Sequence, residues 1–356
     1  MNSTSSVVFA SHEGSKKNQD AGYAAILQRP INDEKESDLV YVAAVFDGHG
    51  HEGEECSAYC EKRVKEWVAE LCSVARDWNT LNWEHIATSM TTQIHAEYRA
   101  KCAEKPGRKI INNVVLEHND AIVHGGSTLS VAITVPNGTE FRTVCIQIGD
   151  SDIYINGKQV ECNHSALNPE EWQRIQLCHT PMRCAYLLKN GKYMDVFRED
   201  GTFDSAYYKY ETPENPWRWY NPNNTPTGII PSCNKYEPSS YLVLENKYGS
   251  LAVTRSIADF WANDGGVSQI PTVTIVDTEK MPTVLVGSDG LFDTLNRDNL
   301  WISPTNGPIG HTYMTQLRKE HAQEDAVQFV HQAHELFKEL FGKNKVDDVS
   351  MAVILP

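Results

Sequence analysis

Five aspartates, Asp20, Asp47, Asp150, Asp289 and Asp347, lie far apart in the 356-residue chain, yet each adjoins an expected strand or tight turn among small residues. Strand ends on one edge of a sheet meet in space, so acids placed this way can converge. Like charges at close range cannot all stay ionised unless cations neutralise them. Oxygen ligands without a Cys/His cluster suit Mg²⁺ or Mn²⁺ better than Zn²⁺. Two such ions roughly 3.5–4 Å apart can clamp a water and a phosphoryl oxygen for in-line displacement. Any one of these acids alone reads more simply as a cap or turn residue; only the set points to metal chemistry.

The element that must position Asp47 is the run from Val40 to Phe46, apolar and rich in β-branched and aromatic residues, which reads as a strand buried on both faces. It empties into Asp47-Gly48-His49-Gly50. An anionic Asp there costs several kcal/mol to desolvate unless something positive meets it. A metal ion is one such partner; a strand-to-helix turn capped by Asp47 is the competing reading of this stretch alone.

Strands are expected at 6–11 and 21–28, around the basic loop Ser15-Lys16-Lys17-Asn18-Gln19-Asp20, with an acidic turn at 31–38. Helical spacing of apolar residues predicts helices over 52–75 and after Asn79-Thr80, while 103–124 reads as polar and irregular. Alternating runs at 128–135 and 141–148 around Pro136-Asn137-Gly138-Thr139 predict a hairpin, and Asn156-Gly157 repeats the signal. A helix at 169–177 leads into an aromatic-rich, irregular stretch over about 179–248. Leu251 to Asp259 reads as a short helix, 272–277 and 283–288 as strands, 323–341 as a long amphipathic helix and 349–355 as a final strand.

No apolar run approaches the roughly 20 residues of a membrane span. Nine cysteines, an odd number without C-x-x-C spacing, suggest reduced thiols in a cytoplasmic or nuclear setting. Met1 to Ser6 lacks the features of a secretory signal. A net charge of −15 disfavours nucleic acid or anionic membrane as partners, so a site for an anionic substrate must make its positive potential locally. One domain over 1–356, carrying an insertion at about 179–248, is expected.

Seven motifs then occur in a familiar order: Asn18-Gln19-Asp20, Asp47-Gly48-His49-Gly50, Gly126-Ser127-Thr128, Gly149-Asp150-Ser151, Thr254-Arg255-Ser256-Ile257-Ala258-Asp259, Ser288-Asp289-Gly290-Leu291-Phe292-Asp293 and Asp347-Asp348-Val349-Ser350. The sequence resembles the metal-dependent type 2C serine/threonine protein phosphatases across nearly its whole length. The resemblance implies an α/β four-layer sandwich, two stacked, mainly antiparallel sheets with helices on both outer faces. It also implies hydrolysis of phosphoserine and phosphothreonine in a phosphorylated protein substrate by a metal-activated water, in a signalling role, by a monomer.

By the same resemblance, Asp47 corresponds to the carboxylate bridging two divalent cations, Mg²⁺ or Mn²⁺, and the Gly48 carbonyl to a ligand of the second. Asp289 and Asp347 correspond to ligands of the first, and Gln19 and Asp20 to the pair facing the second. Asp150 corresponds to a ligand of a third, weaker metal. His49 corresponds to the general acid, a role that suits an imidazole near neutral pH; orienting a water or carboxylate is its plainer reading. The sequence departs from the family at Ser15, where a phosphate-binding Arg is expected and Lys16 or Lys17 is the candidate replacement. Asp152 stands for an Arg, Ala258 for a Gly and Asp348 for an Asn. Two rival readings stay open: a pseudophosphatase acting as a binding module, and a metal-dependent hydrolase of small phosphoesters.

Overall fold

The computed structural model describes residues 5–14, 17–30, 37–74, 77–187, 191–202, 240–244, 249–294, 317–341 and 346–356. In chain order, β1 (Ser6–His12), β2 (Ala21–Pro30), β3 (Ser37–Phe46) and β4 (Gly48–His49) precede helices α1 (Gly53–Val74) and α2 (Trp83–Ala103). Then come β5 (Lys109–Ile111), β6 (Val114–Leu116), β7 (Gly126–Ser127), β8 (Leu129–Asn137), β9 (Glu140–Ile148), β10 (Asp152–Ile155) and β11 (Lys158–Gln159). Helix α3 (Pro169–Gln176) leads to β12 (Arg183–Leu187), β13 (Tyr193–Asp195), β14 (Ser240–Val243), β15 (Ser250–Leu251) and β16 (Ile257–Ala258). The rest is β17 (Thr272–Thr278), β18 (Val284–Gly287), α4 (Asp289–Thr294), α5 (Ala322–Phe341) and β19 (Val349–Leu355).

Strand β3 is apolar on both faces because both are covered. Val40, Val42, Ala44 and Phe46 pack beneath α1 and α2, while Tyr41, Ala43 and Val45 meet Ile153, Val286, Ala352 and Ile354 of a second sheet. The first sheet runs β17-β9-β8-β3-β2 and the second β1-β19-β18-β10-β11, antiparallel throughout. On the outer face of the second sheet, Ala326, Val330 and Ala333 of α5 pack with Leu285, Met351 and Val353. The result is the expected helix, sheet, sheet, helix sandwich. Each fully buried Val, Leu, Ile or Phe contributes about 1.5–3 kcal/mol to holding the layers together.

Helix α1 buries Cys56, Cys60, Val64, Val68 and Leu71, a stripe at i, i+4 and finally i, i+3 spacing that keeps one face inward. Asn82 and Asn168 cap α2 and α3 by accepting from the backbone N–H of His85 and Glu170. Asn156 and Gly157 both take positive φ, which gives the β10–β11 turn the twist its strands need.

The structure corrects two sequence expectations. Residues 103–124 contain the β5–β6 hairpin, turned by Asn112 and Asn113 in left-handed conformation. The stretch 251–259 is no helix: Thr254, Ser256 and Ser268 exchange backbone bonds as extended chain, and Ala258 and Asp259 both have positive φ. Of the aromatic-rich stretch, β12, β13 and β14 join β15 in a four-stranded sheet, and Tyr186 and Phe197 lie in a core shared with α3 and Trp261. Residues 203–239 and 245–248, like the acidic turn at 31–36, lie outside the described residues.

Candidate active site

Antiparallel pairing decides where the five aspartates land. Asp20 precedes β2 and Asp47 follows β3, and because Ala21 pairs with Phe46 the two stand side by side. Asp289 follows β18 and Asp347 precedes β19, whose Met351 pairs with Gly287. Asp152 of β10 pairs with the same Gly287, which brings Asp150 to that end as well. All five occupy one edge of the sandwich, two from one sheet and three from the other.

The carboxylates feel one another. Burial first, then Asp20, Asp289 and Asp347, push Asp47 well above the usual carboxylate range, and Asp289 lies within hydrogen-bonding reach of it. Asp20 is raised by burial and by Asp348, Asp289 and Asp347, and Asp289 by burial and Asp150. Asp20, Asp47 and Asp289 each keep part of their surface open, as groups on the floor of a cleft would. One oxygen of Asp20, Oδ2, is buried without a hydrogen-bond partner. Crowded carboxylates and an orphaned oxygen fit hard divalent cations in kind and number. They are not drawn into a finished ligand cage: among the described residues no three His, Cys, Asp or Glu side chains are arranged to hold a metal ion.

The motifs around these acids tie them in place. Asp47 donates its N–H to Thr128 Oγ1 (3.0 Å) and accepts from the Thr128 N–H (2.9 Å), and Thr128 in turn bonds Ser151 Oγ (2.8 Å). That links three motifs through two hydroxyls. Gly48 must be glycine, since a Cβ would strike the Gln19 and Gly53 carbonyls. Gln19 spends its side-chain amide on the Gly50 carbonyl (2.7 Å).

Asp348 was not singled out as a site residue, yet its two oxygens accept the N–H groups of Gly14 and Gln19, each at 2.7 Å. It therefore closes the loop that delivers Asp20, a role that its place beside Asp347 could have suggested. Asp348→Ala leaves two part-buried donors unpaired, at about 1–3 kcal/mol each. The expected result is faster hydrogen exchange at Gly14 and Gln19, with the β5–β6 hairpin unchanged.

Lys16 and Ser15 lie outside the described residues. Lys17 is on the surface, its side chain 75% exposed and paired with Glu54 at 2.7 Å. It is not brought to the aspartates.

His49 is brought there. Its Nε2 donates to Asp259 Oδ2 at 2.6 Å, and Asp259 is 2% exposed. Burial disfavours protonation of His49, but Asp259, aided by Asp150 and Asp289, outweighs it and holds the pKa above the ordinary imidazole value. Burial likewise opposes the Asp259 anion, yet His49, Ser256 and Trp261 keep its pKa low. Ser256 Oγ donates to Oδ2 (2.7 Å) and Trp261 Nε1 to Oδ1 (3.3 Å). Sequence reasoning noted Asp259 within its motif but gave it no role.

Below this turn, Glu171 of α3 is 3% exposed and takes Arg255 and Arg174 together. Arg255 also donates to the Ile270 carbonyl, and Arg174 to those of Gly266 and Thr254. The motif arginine thus anchors the turn that carries Asp259.

A family model described as Protein phosphatase 2C matches residues 7–190, more than half of the chain and four of its seven motifs. The chain belongs to the protein phosphatase 2C family, a family of serine/threonine protein phosphatases. Solved structures share the fold at low identity. A phosphatase from a pathogenic strain of Toxoplasma gondii is 14% identical with a TM-score of 0.55, over 99% of this chain and 92% of that one. Serine-threonine phosphatase 2C from Toxoplasma gondii is also 14% identical, with a TM-score of 0.53 over 99% of both chains. A sex-determining protein of C. elegans is 17% identical with a TM-score of 0.53; 99% of this chain is covered, which spans 65% of the C. elegans chain.

In this protein phosphatase 2C chain the left-handed residue before Asp259 is an alanine, and its cost is nearly offset. Ala258, where the resemblance leads one to expect Gly, sits at φ 68° and is fully buried. A left-handed Ala costs about 1–2 kcal/mol. Its buried methyl returns about 0.8 kcal/mol, and its stiffer unfolded chain about 0.4–1 kcal/mol. The two sides nearly cancel, so Ala258→Gly is expected to shift unfolding stability by less than about 1 kcal/mol in a denaturant titration.

Proposed function

We propose that this protein hydrolyses phosphoserine and phosphothreonine in proteins by direct attack of water, without a covalent phosphoenzyme. The observation that carries the reading is the convergence of acids from both sheets on one edge, with His49 beside them. Divalent cations, Mg²⁺ or Mn²⁺, would neutralise these acids and supply the positive field that activates a water and draws in phosphoryl oxygens. Asp47, Asp289, Asp347 and the Gly48 carbonyl are the groups that would hold them, with Asp20 and Gln19 behind and Asp150 at a third, weaker position.

The chain's own residues do the rest. Thr128 and Ser151 fix the backbone at Asp47, and Asp348 fixes the loop before Asp20. His49 Nε2 is held by Asp259, which leaves Nδ1 to face the ester and give its proton to the departing serine or threonine oxygen.

A pseudophosphatase reading draws its support from the substrate side: Ser15 replaces the expected arginine, and Lys17 is engaged by Glu54. The two readings separate on Mn²⁺-dependent hydrolysis of a phosphoserine peptide by the wild type and by Asp289→Ala. A fast wild type and a slow variant are expected; equal rates would sink the enzyme reading. A nucleotide substrate preferred over the phosphopeptide would instead favour a small-molecule hydrolase.

A further inference from the structure

Asp259 stands out among the groups around the aspartates. It is a nearly inaccessible carboxylate in left-handed conformation (φ 44°), preceded by another left-handed residue, Ala258. Such backbone costs energy and persists where the surroundings over-determine it. They do so here. Ser256 and Trp261 each donate to Asp259, its own N–H bonds the Gly125 carbonyl, and Gly126 lies so near that a Cβ there would collide with Oδ2. Among the described residues, the side chain outside its own turn that this anchored carboxylate hydrogen-bonds is His49, 210 residues away in sequence.

We propose that Asp259 is a positioning residue for the phosphatase reaction, fixing His49 so that Nε2–H is committed to the carboxylate and Nδ1 is the nitrogen turned to the leaving oxygen. This rests on the phosphatase reading above and deepens it. In the step concerned, the water oxygen forms the new bond to phosphorus and the ester P–O bond breaks. Its electron pair stays on the serine or threonine oxygen, which takes the Nδ1 proton. The proton shed by the water passes to solvent, from which the ring is reprotonated. A mis-turned ring removes only the help given to the leaving group, so the loss depends on how much help that group needs.

Asp259→Asn is the informative variant, because Asn tolerates the left-handed region better than other non-glycine residues. If its Oδ1 keeps Trp261, its amide presents a donor to Nε2 and forces another tautomer or ring orientation. With Mn²⁺, kcat on a phosphoserine peptide is expected to fall about 10–100-fold, a large part of what general acid catalysis supplies, with KM changed less than about 3-fold. On 4-nitrophenyl phosphate, whose leaving group needs no proton, kcat should fall less than about 3-fold. His49→Ala should give the same selective pattern, and adding Asp259→Asn to it should cost at most about 2-fold more, since groups acting as a unit are not additive. Ser256→Ala, a small change that removes one bond fixing the carboxylate, should reproduce the pattern at reduced size and covers the case in which Asp259→Asn does not fold.

Equal losses on both substrates, or losses that multiply in the double variant, would overturn the role of Asp259. A wild type inactive on the peptide with Mn²⁺ would instead remove the phosphatase reading and the proposal together. An active wild type with an indifferent His49→Ala would remove His49 as the acid, and Asp259 with it.

Discussion

Asp47→Asn is expected to abolish hydrolysis of a phosphoserine peptide while making the chelator-treated protein harder to unfold. Asp47 sits deep at the strand end, facing Asp20, Asp289 and Asp347, and every one of them disfavours its charge. An amide of the same shape removes the repulsion and keeps the hydrogen bonds that its backbone makes with Thr128. Melting in excess EDTA should therefore rise by a few degrees. With Mn²⁺ at a hundredfold excess over its dissociation constant the wild type gains about 2.7 kcal/mol, and the variant should gain almost none. Activity should fall by more than about 10²-fold, since even the outer partners of metal-binding groups are worth 10–100-fold. A variant that melts with the wild type in EDTA and still responds to Mn²⁺ would show that Asp47 is not at the centre of the acidic cluster.

Glu171→Gln should produce the largest loss of stability, well away from the aspartates. Burial alone would raise the Glu171 pKa, but Arg255 and Arg174 bring it down to about 2. The unfolded carboxylate takes up its proton near 4.5, so between about 4.5 and 2 the unfolded chain binds more protons than the folded one and stability rises with pH. The contribution is fully present above about 4.5 and is lost as pH falls toward 2; it is worth about 3 kcal/mol at neutral pH. The variant should thus be less stable than the wild type by roughly that amount at pH 7, and the gap should close as the solution is acidified toward pH 2. A gap that stays constant with pH would mean the loss comes from packing. Because Arg255 belongs to the turn that leads to Asp259, the variant should also lose activity on the phosphopeptide near its melting range.

How much of this was legible in the sequence depends on how local the cause is. The buried strand over Val40 to Phe46, the polar residues at its end and the Asn-Gly turn at 156–157 could be read because each is written in consecutive residues. The stretch 251–259 misled for a physical reason. Leu251, Val253 and Ile257 fall at i, i+2 and i+6, which fits one face of a strand, but the i, i+4 pair Val253–Ile257 fits a helix equally well. The chain is held extended by bonds to His164 and Ser268, which no local pattern announces. The hairpin at 109–116 turns on Asn112-Asn113, a weaker signal than Asn-Gly. The grouping of the aspartates could be inferred from their settings, but the partners that set the details could not. Asp348 with Gly14 and Gln19, Glu171 with Arg255, and His49 with Asp259 all join residues at least 84 positions apart.

The register between strands has one more consequence. Asp20 and Asp47 ride on one sheet and Asp150, Asp289 and Asp347 on the other, and the seam between the two is apolar in its middle, with Thr128 and Ser130 bonding Ser151 across it near the aspartates. Ions gripped from both sides would add to these few directional bonds and rivet the halves across that greasy joint. Loading with manganese should therefore stiffen the whole sandwich, so that amides in the middle of β3 and β19, far from the rim, exchange more slowly too.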